Sequence, residues 1–427
     1  MRFNVDALVE ENKRLKRAVE ELSLLNKLAQ TIGASSNLDA ILQEIIKHSL
    51  RAVQAEQCTI TLVVEKSDSP LKTLVRTMVR NAAHEAFHLN QVLLGWMMKH
   101  KRPLSLTHPQ KDDRFPGIEW DTEIHSLLCV PLLIKSRLIG ILTAFNKLVG
   151  NQFTAEDLRL LGIIAAQSAQ IIENARLAEE EKVLICVKEE MNLARQIQKD
   201  LLPHQLPEIP GYAIRGTSIP AESVGGDYFD FIPLDAHRLV LCLGDVSGKG
   251  LPAALLMSNL QAIIRSQLYM PGGVAEWVQR ANQLLYHNTS PSKFATLFLA
   301  VLDFRTHCLH YANAGHDRAL VISADGTIQE LPEAGVPLGF LEKVLYQEQD
   351  FAFKKGDTLL VYSDGVSEAM NEKEEEFGVA RIRSFLARNY QRSAAEIIRN
   401  LVAQVHHHAG KRPQSDDITV ILVQRNN

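Results

Sequence analysis

Apolar and polar positions change their spacing along the chain, and each change marks a different kind of element. Near the N-terminus the pattern is a heptad, with Val5, Asn12, Val19 and Asn26 at one seam position and Leu8, Leu15, Leu22 and Ala29 at the other. An Asn at such a seam costs stability but selects a parallel two-stranded register, and Glu11 and Lys16 stand where an interchain pair forms. Residues 1–30 therefore read as a coiled-coil helix and predict a parallel homodimer; the alternative is one amphipathic helix packed on its own domain. Residues 31–176 follow an α/β pattern: a helix over Leu38–Val53, the strand CTITLVVE, then LLCVPLLIK and LIGILTAFN joined by a short turn at Ser136-Arg137. A closing helix starts after Thr154, whose hydroxyl caps it with Asp157 three residues on. Residues 177–203 return to heptads (Leu177, Leu184 and Met191; Val187, Ala194 and Leu201) until Pro203 and Pro207 stop the helix. This helical linker is either a plain dimer stalk or a transmitter of rotation between domains.

From 204 to 427 strands dominate: RLVLCLG, FATLFLAVLD, HCLHYANAG, ALVIS, DTLLVYS and DITVILVQ. Helical stretches interrupt them at Leu251–Leu268, Gly273–Tyr286 and Ala394–His408, the last with a Ser393/Glu396 capping box. The expected class is α+β and multidomain, with a β-sandwich flanked by helices at the C-terminal end.

Composition changes this picture little. A net charge of −4 gives no general attraction for nucleic acid or an anionic membrane, so neither is an expected partner. No run approaches the roughly 18 apolar residues of a spanning helix, and the opening MRFNVDALVEENKRLK lacks a signal-peptide core. Cys58, Cys129, Cys186, Cys242 and Cys308 are scattered singly, without zinc or disulfide spacing. Buried free thiols in the cytoplasm are the expectation.

The chemistry lies in the acids. Asp227 follows Gly225-Gly226, Asp245 and Asp364 each end a strand, and Asp416 and Asp417 precede one. Crowded carboxylates without cationic partners repel one another, and hard divalent cations relieve that cost. An oxygen-only set favours Mg2+ or Mn2+ over zinc. Each Asp alone could simply cap a turn; four such sites together favour metal.

The motifs VGGDYFD, LGDVSGKG, NAGH, VYSDGVSEA and SDDITVILV, in this order, resemble the PPM superfamily of metal-dependent protein phosphatases, in particular its bacterial stage II sporulation protein E-like branch. That resemblance implies two ions, Mn2+ or Mg2+. Asp245 would bridge them and the Val246 carbonyl would complete the second site. Asp364 and Asp416 would hold the first ion, with Asp417 as the adjacent alternative, and Asp227 the second. It also implies a phosphoserine/phosphothreonine protein substrate of the anti-sigma-factor antagonist type, in a partner-switching pathway. The phosphate-binding arginine of animal and plant members has no evident equivalent; Arg215 is the nearby candidate. Within 31–176, VLLGWMMKHKRPLSLTH, SLLCVPLLIKSRLIGILTAFNK and FTAEDLRLLGIIAAQSAQIIENARL resemble a GAF domain, which implies a small-molecule or protein signal that regulates the enzyme. Asn146, Lys147, Phe153 and Asp157 match the signature of cyclic-nucleotide-binding members, while Leu158 replaces its Glu. His84, His88 and Trp96 are weaker pocket candidates.

Other features have blander readings. His316 is either an acid for the leaving group or a packing residue of its turn. Gly244–Gly250 is a residue short of a P-loop and lacks its Ser/Thr. His406–His408 reads as a solvated helix end, and Glu372–Glu376 as an exposed loop. A catalytically silent scaffold that binds a phosphoprotein is the alternative function; a metal-dependent nuclease would need a basic groove that the charge balance does not suggest.

Overall fold

The computed structural model describes residues 11–12, 37–66, 69–79, 87, 90–116, 118–290, 292–332 and 335–426. The N-terminal heptads, His84 and His88 lie outside them. The chain divides into two compact units between Cys186 and Val187.

In the first unit, helix α1 (Leu38–Ala52) begins at Asn37, whose side chain accepts the Asp39 amide. Its apolar face, with Ile41, Leu42, Ile45 and Ile46, lies on a five-stranded antiparallel sheet. The strands are β1 (Ala55–Lys66), β2 (Ser69–Val79), β3 (Leu104–Leu106), β4 (Leu127–Ile134) and β5 (Arg137–Lys147), in the order β2-β1-β5-β4-β3; helix α2 (Gln91–His100) separates β2 from β3. The continuous apolar run of β4 is explained by burial on both faces. Leu128, Val130 and Leu132 meet the core shared with α1, while Leu127 and Cys129 meet Leu93, Leu94 and Met97 of α2. The β4–β5 turn is Lys135-Ser136, not Ser136-Arg137: Ile134 pairs with Arg137, and Lys135 takes φ 55°. The closing helix and the linker are one element, α3 (Ala155–Leu201). Its start is capped as expected, with the Asp157 amide on Thr154 Oγ1 (3.2 Å) and the Thr154 amide on Asp157 Oδ2 (2.8 Å).

The second unit is a sandwich of two five-stranded antiparallel sheets. Its elements run β6 (Tyr212–Ile219), β7 (Tyr228–Pro233), β8 (Arg238–Val246), α4 (Gly250–Gln267), α5 (Val274–Asn288), β9 (Ala295–Asp303), β10 (Cys308–Ala314), β11 (Leu320–Ile322), β12 (Ile328–Glu330), β13 (Gln349–Ala352), β14 (Thr358–Tyr362), α6 (Asp364–Ser367), α7 (Val379–Asn389), α8 (Ala394–Ala409) and β15 (Ile418–Arg425). One sheet has the order β13-β10-β9-β8-β7, the other β12-β11-β14-β15-β6. Alternation along the strands builds three layers of core. Leu239, Leu241 and Leu243 point between the sheets toward Leu359, Val361, Ile421 and Val423. Val240 and Cys242 point outward under α4 and α5, and Leu360, Val420 and Leu422 under α7 and α8. The central strands β8, β9, β14 and β15 are buried on both faces, so they read as nearly unbroken apolar runs.

Candidate metal centre

Asp245 is the penultimate residue of β8 and Asp364 the first after Ser363 at the end of β14. Asp227 immediately precedes β7, and Asp416 and Asp417 immediately precede β15. The two sheets meet at this end of the sandwich through Asp417. Its carboxylate accepts the amides of Ala221 (2.8 Å), Gly226 (2.5 Å) and Asp227 (3.2 Å). A side chain on Gly225 would bring a Cβ 2.2 Å from the same carboxylate, and one on Gly365 would lie 2.1 Å from the Asp417 carbonyl. Both positions therefore require glycine for the segments to close. The Ser363 hydroxyl donates to that carbonyl (2.9 Å) and accepts the Thr419 amide (3.0 Å).

Within this frame the acids crowd without adequate cations. Asp227 is buried and its Oδ2 has no hydrogen-bond partner. Burial pushes its carboxyl well up, and the charges of Asp245 and Asp417 add to the effect; the hydroxyls of Thr419 and Ser363 oppose it. Asp245 is pushed up to about 8 by burial, then by Asp364 and Asp416. Asp364 is pushed up to about 6 by burial, then by Asp416, Glu368 and Asp317. A Cβ on Gly226 would sit 3.2 Å from the Val246 carbonyl, so that oxygen opens onto the same cluster. The cation beside them is Lys249, on the loop after β8: its Nζ lies 3.0 Å from Asp416 Oδ2 and donates to the Ser415 carbonyl.

The neighbouring Asp230 is the counterexample. It is just as buried, yet it accepts the Tyr228 hydroxyl (2.8 Å), its own neighbour's Phe231 amide (2.9 Å) and the Arg265 guanidinium (2.8 Å). An acid with such partners needs no ion. Asp227, three residues earlier, has none of them at Oδ2.

The oxygen-only donors and the orphaned Asp227 oxygen fit hard divalent ions. Among the described residues, no three of these carboxylates offer oxygens all within 4.8 Å of one another; that condition is met instead by Cys308, His310 and Asp350 at the β10–β13 edge.

The remaining candidates sort as follows. His316 is buried, with Nδ1 2.9 Å from the Thr296 hydroxyl and its amide on Asn313 Oδ1. Burial lowers its imidazole to about 4, and its Nε2 has no hydrogen-bond partner. Arg215 sits opposite Leu422, four positions along β6 from the Ile219–Ile418 pair beside the acids, and donates to the Ile214 carbonyl. His408 Nε2 meets the Glu375 carbonyl at an exposed helix end. Cys58, Cys129 and Cys242 are buried, as expected; Cys186 is exposed and Cys308 half-buried, which corrects the expectation for those two. Cys186 is exposed because its stretch of α3 has no covering layer among the described residues. Sequence reasoning passed over Lys249, Glu368, and Asp317, whose carboxylate accepts the Ser367 hydroxyl (2.8 Å). The Asp directly after NAGH was the available signal for the last.

In the first unit the Asn-Lys…Phe…Asp signature is bracing. Asn146 Oδ1 accepts the amides of His125 (2.8 Å) and Ser126 (3.3 Å), and its Nδ2 donates to Glu56. Lys147 pairs with Asp157 at 2.7 Å, and Phe153 is in the core. Trp96 packs against His100 and edge-on to Phe115.

The two helix-covered sheets with this acid cluster at one end have the fold of PP2C-type phosphatases. A PP2C domain of Pseudomonas aeruginosa SiaA superimposes with a TM-score of 0.51 at 23% identity, over 57% of this chain and 99% of that one. Residues 235–426 match the family model of stage II sporulation protein E (SpoIIE), and residues 37–172 match that of the GAF domain. The chain is 28% identical over 251 residues to the phosphoserine phosphatase RsbU of Bacillus subtilis, covering 56% of this chain and 71% of that protein. It is 29% identical over 266 residues to Protein IcfG of Synechocystis, covering 56% of this chain and 42% of that protein, so it spans less than half of IcfG. Among the described residues no helix is long and apolar enough to cross a membrane.

Proposed function

We propose that the chain is a metal-dependent phosphoserine/phosphothreonine protein phosphatase whose GAF domain regulates it. The observation that carries this reading is the convergence of Asp227, Asp245, Asp364 and Asp416 with an unpartnered buried carboxylate oxygen. Asp245, facing the other acids, would be shared between two Mg2+ or Mn2+ ions, with Asp364 and Asp416 on one, and Asp227 and the Val246 carbonyl on the other. Bound there, the ions supply an activated water and a charge clamp on the phosphoryl oxygens. Asp416 is favoured over Asp417 because the Asp417 carboxylate is consumed by three backbone amides. Asp417 instead holds the Gly225–Asp227 segment in place, which fixes where Asp227 points. Positioning and charge neutralisation account for most of the acceleration of phosphoryl transfer, and this frame supplies both.

The substrate we infer is a serine-phosphorylated anti-sigma-factor antagonist, dephosphorylated in the cytoplasm within a partner-switching pathway. Two features of α3 support a parallel dimer that carries a GAF signal: Leu177, Leu184 and Val187 remain exposed on its seam, and the helix runs unbroken from the GAF core. The signal itself is a small molecule or a protein. An assay of Mn2+-dependent release of phosphate from such an antagonist, with Asp245→Asn as control, tests the activity. Turnover that persists without metal, or in the variant, would overturn the assignment. Deleting residues 1–176 tests the regulation, and identical kinetics in both chains would argue against it.

A further inference from the structure

The acid cluster leaves one charge relation open. Four carboxylates and two divalent ions are neutral together, and a phosphomonoester adds close to two negative charges at neutral pH. A further cation beside the ions would offset part of that excess. Lys249 is placed there. Its backbone is fixed, and its side chain is held only by the exposed Asp416 carboxylate and the Ser415 carbonyl. Gly248 and Gly250 flank it at φ 101° and 67°, turns that favour glycine. Ser247 clasps Phe294 through two hydrogen bonds, from its amide to the Phe294 carbonyl (2.9 Å) and from the Phe294 amide to its hydroxyl (3.1 Å).

The ammonium group contacts Asp416 directly at the surface, with the Lys249 side chain 50% and the Asp416 side chain 36% exposed. An ion pair this open is weak and readily exchanged. With Asp416 engaged as a metal ligand, the Lys249 ammonium would lose its partner and be free at the mouth of the cluster. Its flexible four-carbon stem then suits it to follow an incoming phosphoryl group as a point charge. The Lys293 ammonium approaches the same loop, 3.2 Å from where a Cβ on Gly248 would stand, and makes no ion pair among the described residues. The Glu222 carboxylate stands on the other side of the loop, 2.8 Å from where a Cβ on Gly250 would be, so Lys249 lies between acids of the floor and one acid of the rim.

We propose that Lys249 is the side chain that binds the substrate's phosphoryl group, trading Asp416 for it when the ions are in place; the assignment rests on the phosphatase reading above. Inorganic phosphate is the probe, titrated calorimetrically into the full chain in Mn2+. Lys249→Met weakens phosphate about tenfold or more, raises KM for a phosphomonoester more than it lowers kcat, and leaves Mn2+ affinity equal or tighter. Lys249→Arg recovers part of the phosphate affinity. Lys355→Met, in the turn at the far end of β14 from Asp364, changes neither. Unchanged phosphate affinity in Lys249→Met, with the wild type active, overturns this assignment alone. Weaker Mn2+ binding in Lys249→Met also overturns it, because the residue would then be bracing the ion site. A wild type that neither binds phosphate nor turns over overturns the phosphatase reading with it.

Discussion

Each unit of this protein sets an aspartate at the end of an element, Asp157 in the first turn of α3 and Asp245 at the close of β8, and the two are treated in opposite ways. Asp157 in the GAF unit meets Lys147 at 2.7 Å and the Thr154 amide and hydroxyl, with both charged side chains about a tenth exposed. Burial pushes its carboxyl up, but these partners outweigh that and hold it below the ordinary range. Asp245 in the catalytic unit meets more acids instead, and its carboxyl is driven up to about 8. The first arrangement is finished within the chain. The second is incomplete until something positive arrives.

The largest expected effect is on turnover. Asp245→Asn or Asp364→Asn lowers kcat by about a thousandfold or more while circular dichroism and thermal unfolding stay near the wild type; full activity in either would break the contrast. Lys147→Met tests the other side. Stranding a buried Asp157 charge destabilises the GAF unit by about 3 kcal/mol in urea unfolding, and an unchanged midpoint would show that the pair braces nothing.

The pH dependence has opposite signs in the two units. In metal-free protein the raised carboxyls of Asp245 and Asp364 hold protons that the unfolded chain releases near 3.8. Their contribution is therefore present at low pH and lost as pH rises through about 6 and about 8. Asp157 contributes above the ordinary carboxylate range and loses that contribution as pH falls. With EDTA present, Tm of the catalytic unit should drop by a few degrees between about pH 5 and pH 8, and Mg2+ should restore more at the higher pH. The smallest effect is at a pair whose acid has a second partner. Arg137→Ala removes one of two arginines on Glu173 and should cost at most about 1 kcal/mol in the same urea experiment, since Arg176 remains at 2.9 Å.

The sandwich was legible in the sequence because its central strands are buried on both faces and stand out as apolar runs. Strands β6 and β7 were not, since YAIRGTSI and YFDFIP mix polar and small residues with apolar ones. Helix α7, VARIRSFLARN, buries only Ile382, Phe385 and Leu386, too short a stripe to read without its neighbours. The four acids were legible because each sits where a strand meets a loop beside Gly, Ser or a second Asp. What adjacency could not reveal was the split between Asp416 and Asp417. Successive residues at a strand entry face opposite ways, so one opens to solvent beside Lys249 and the other reaches three backbone amides. The placement of Lys249 likewise depends on a long-range approach, 167 positions along the chain from Asp416 to the loop after β8 (416 − 249).

The clasp made by Asp417 also sets a schedule. It ties residue 417 to residues 221, 226 and 227, and β15 enters its sheet between β14 and β6, the strand that opens the sandwich. During synthesis every earlier strand leaves the ribosome before the one that joins them. Phosphatase competence would then switch on late and all at once, and a chain shortened by its last strand would be a nearly complete but inert protein with an open seam.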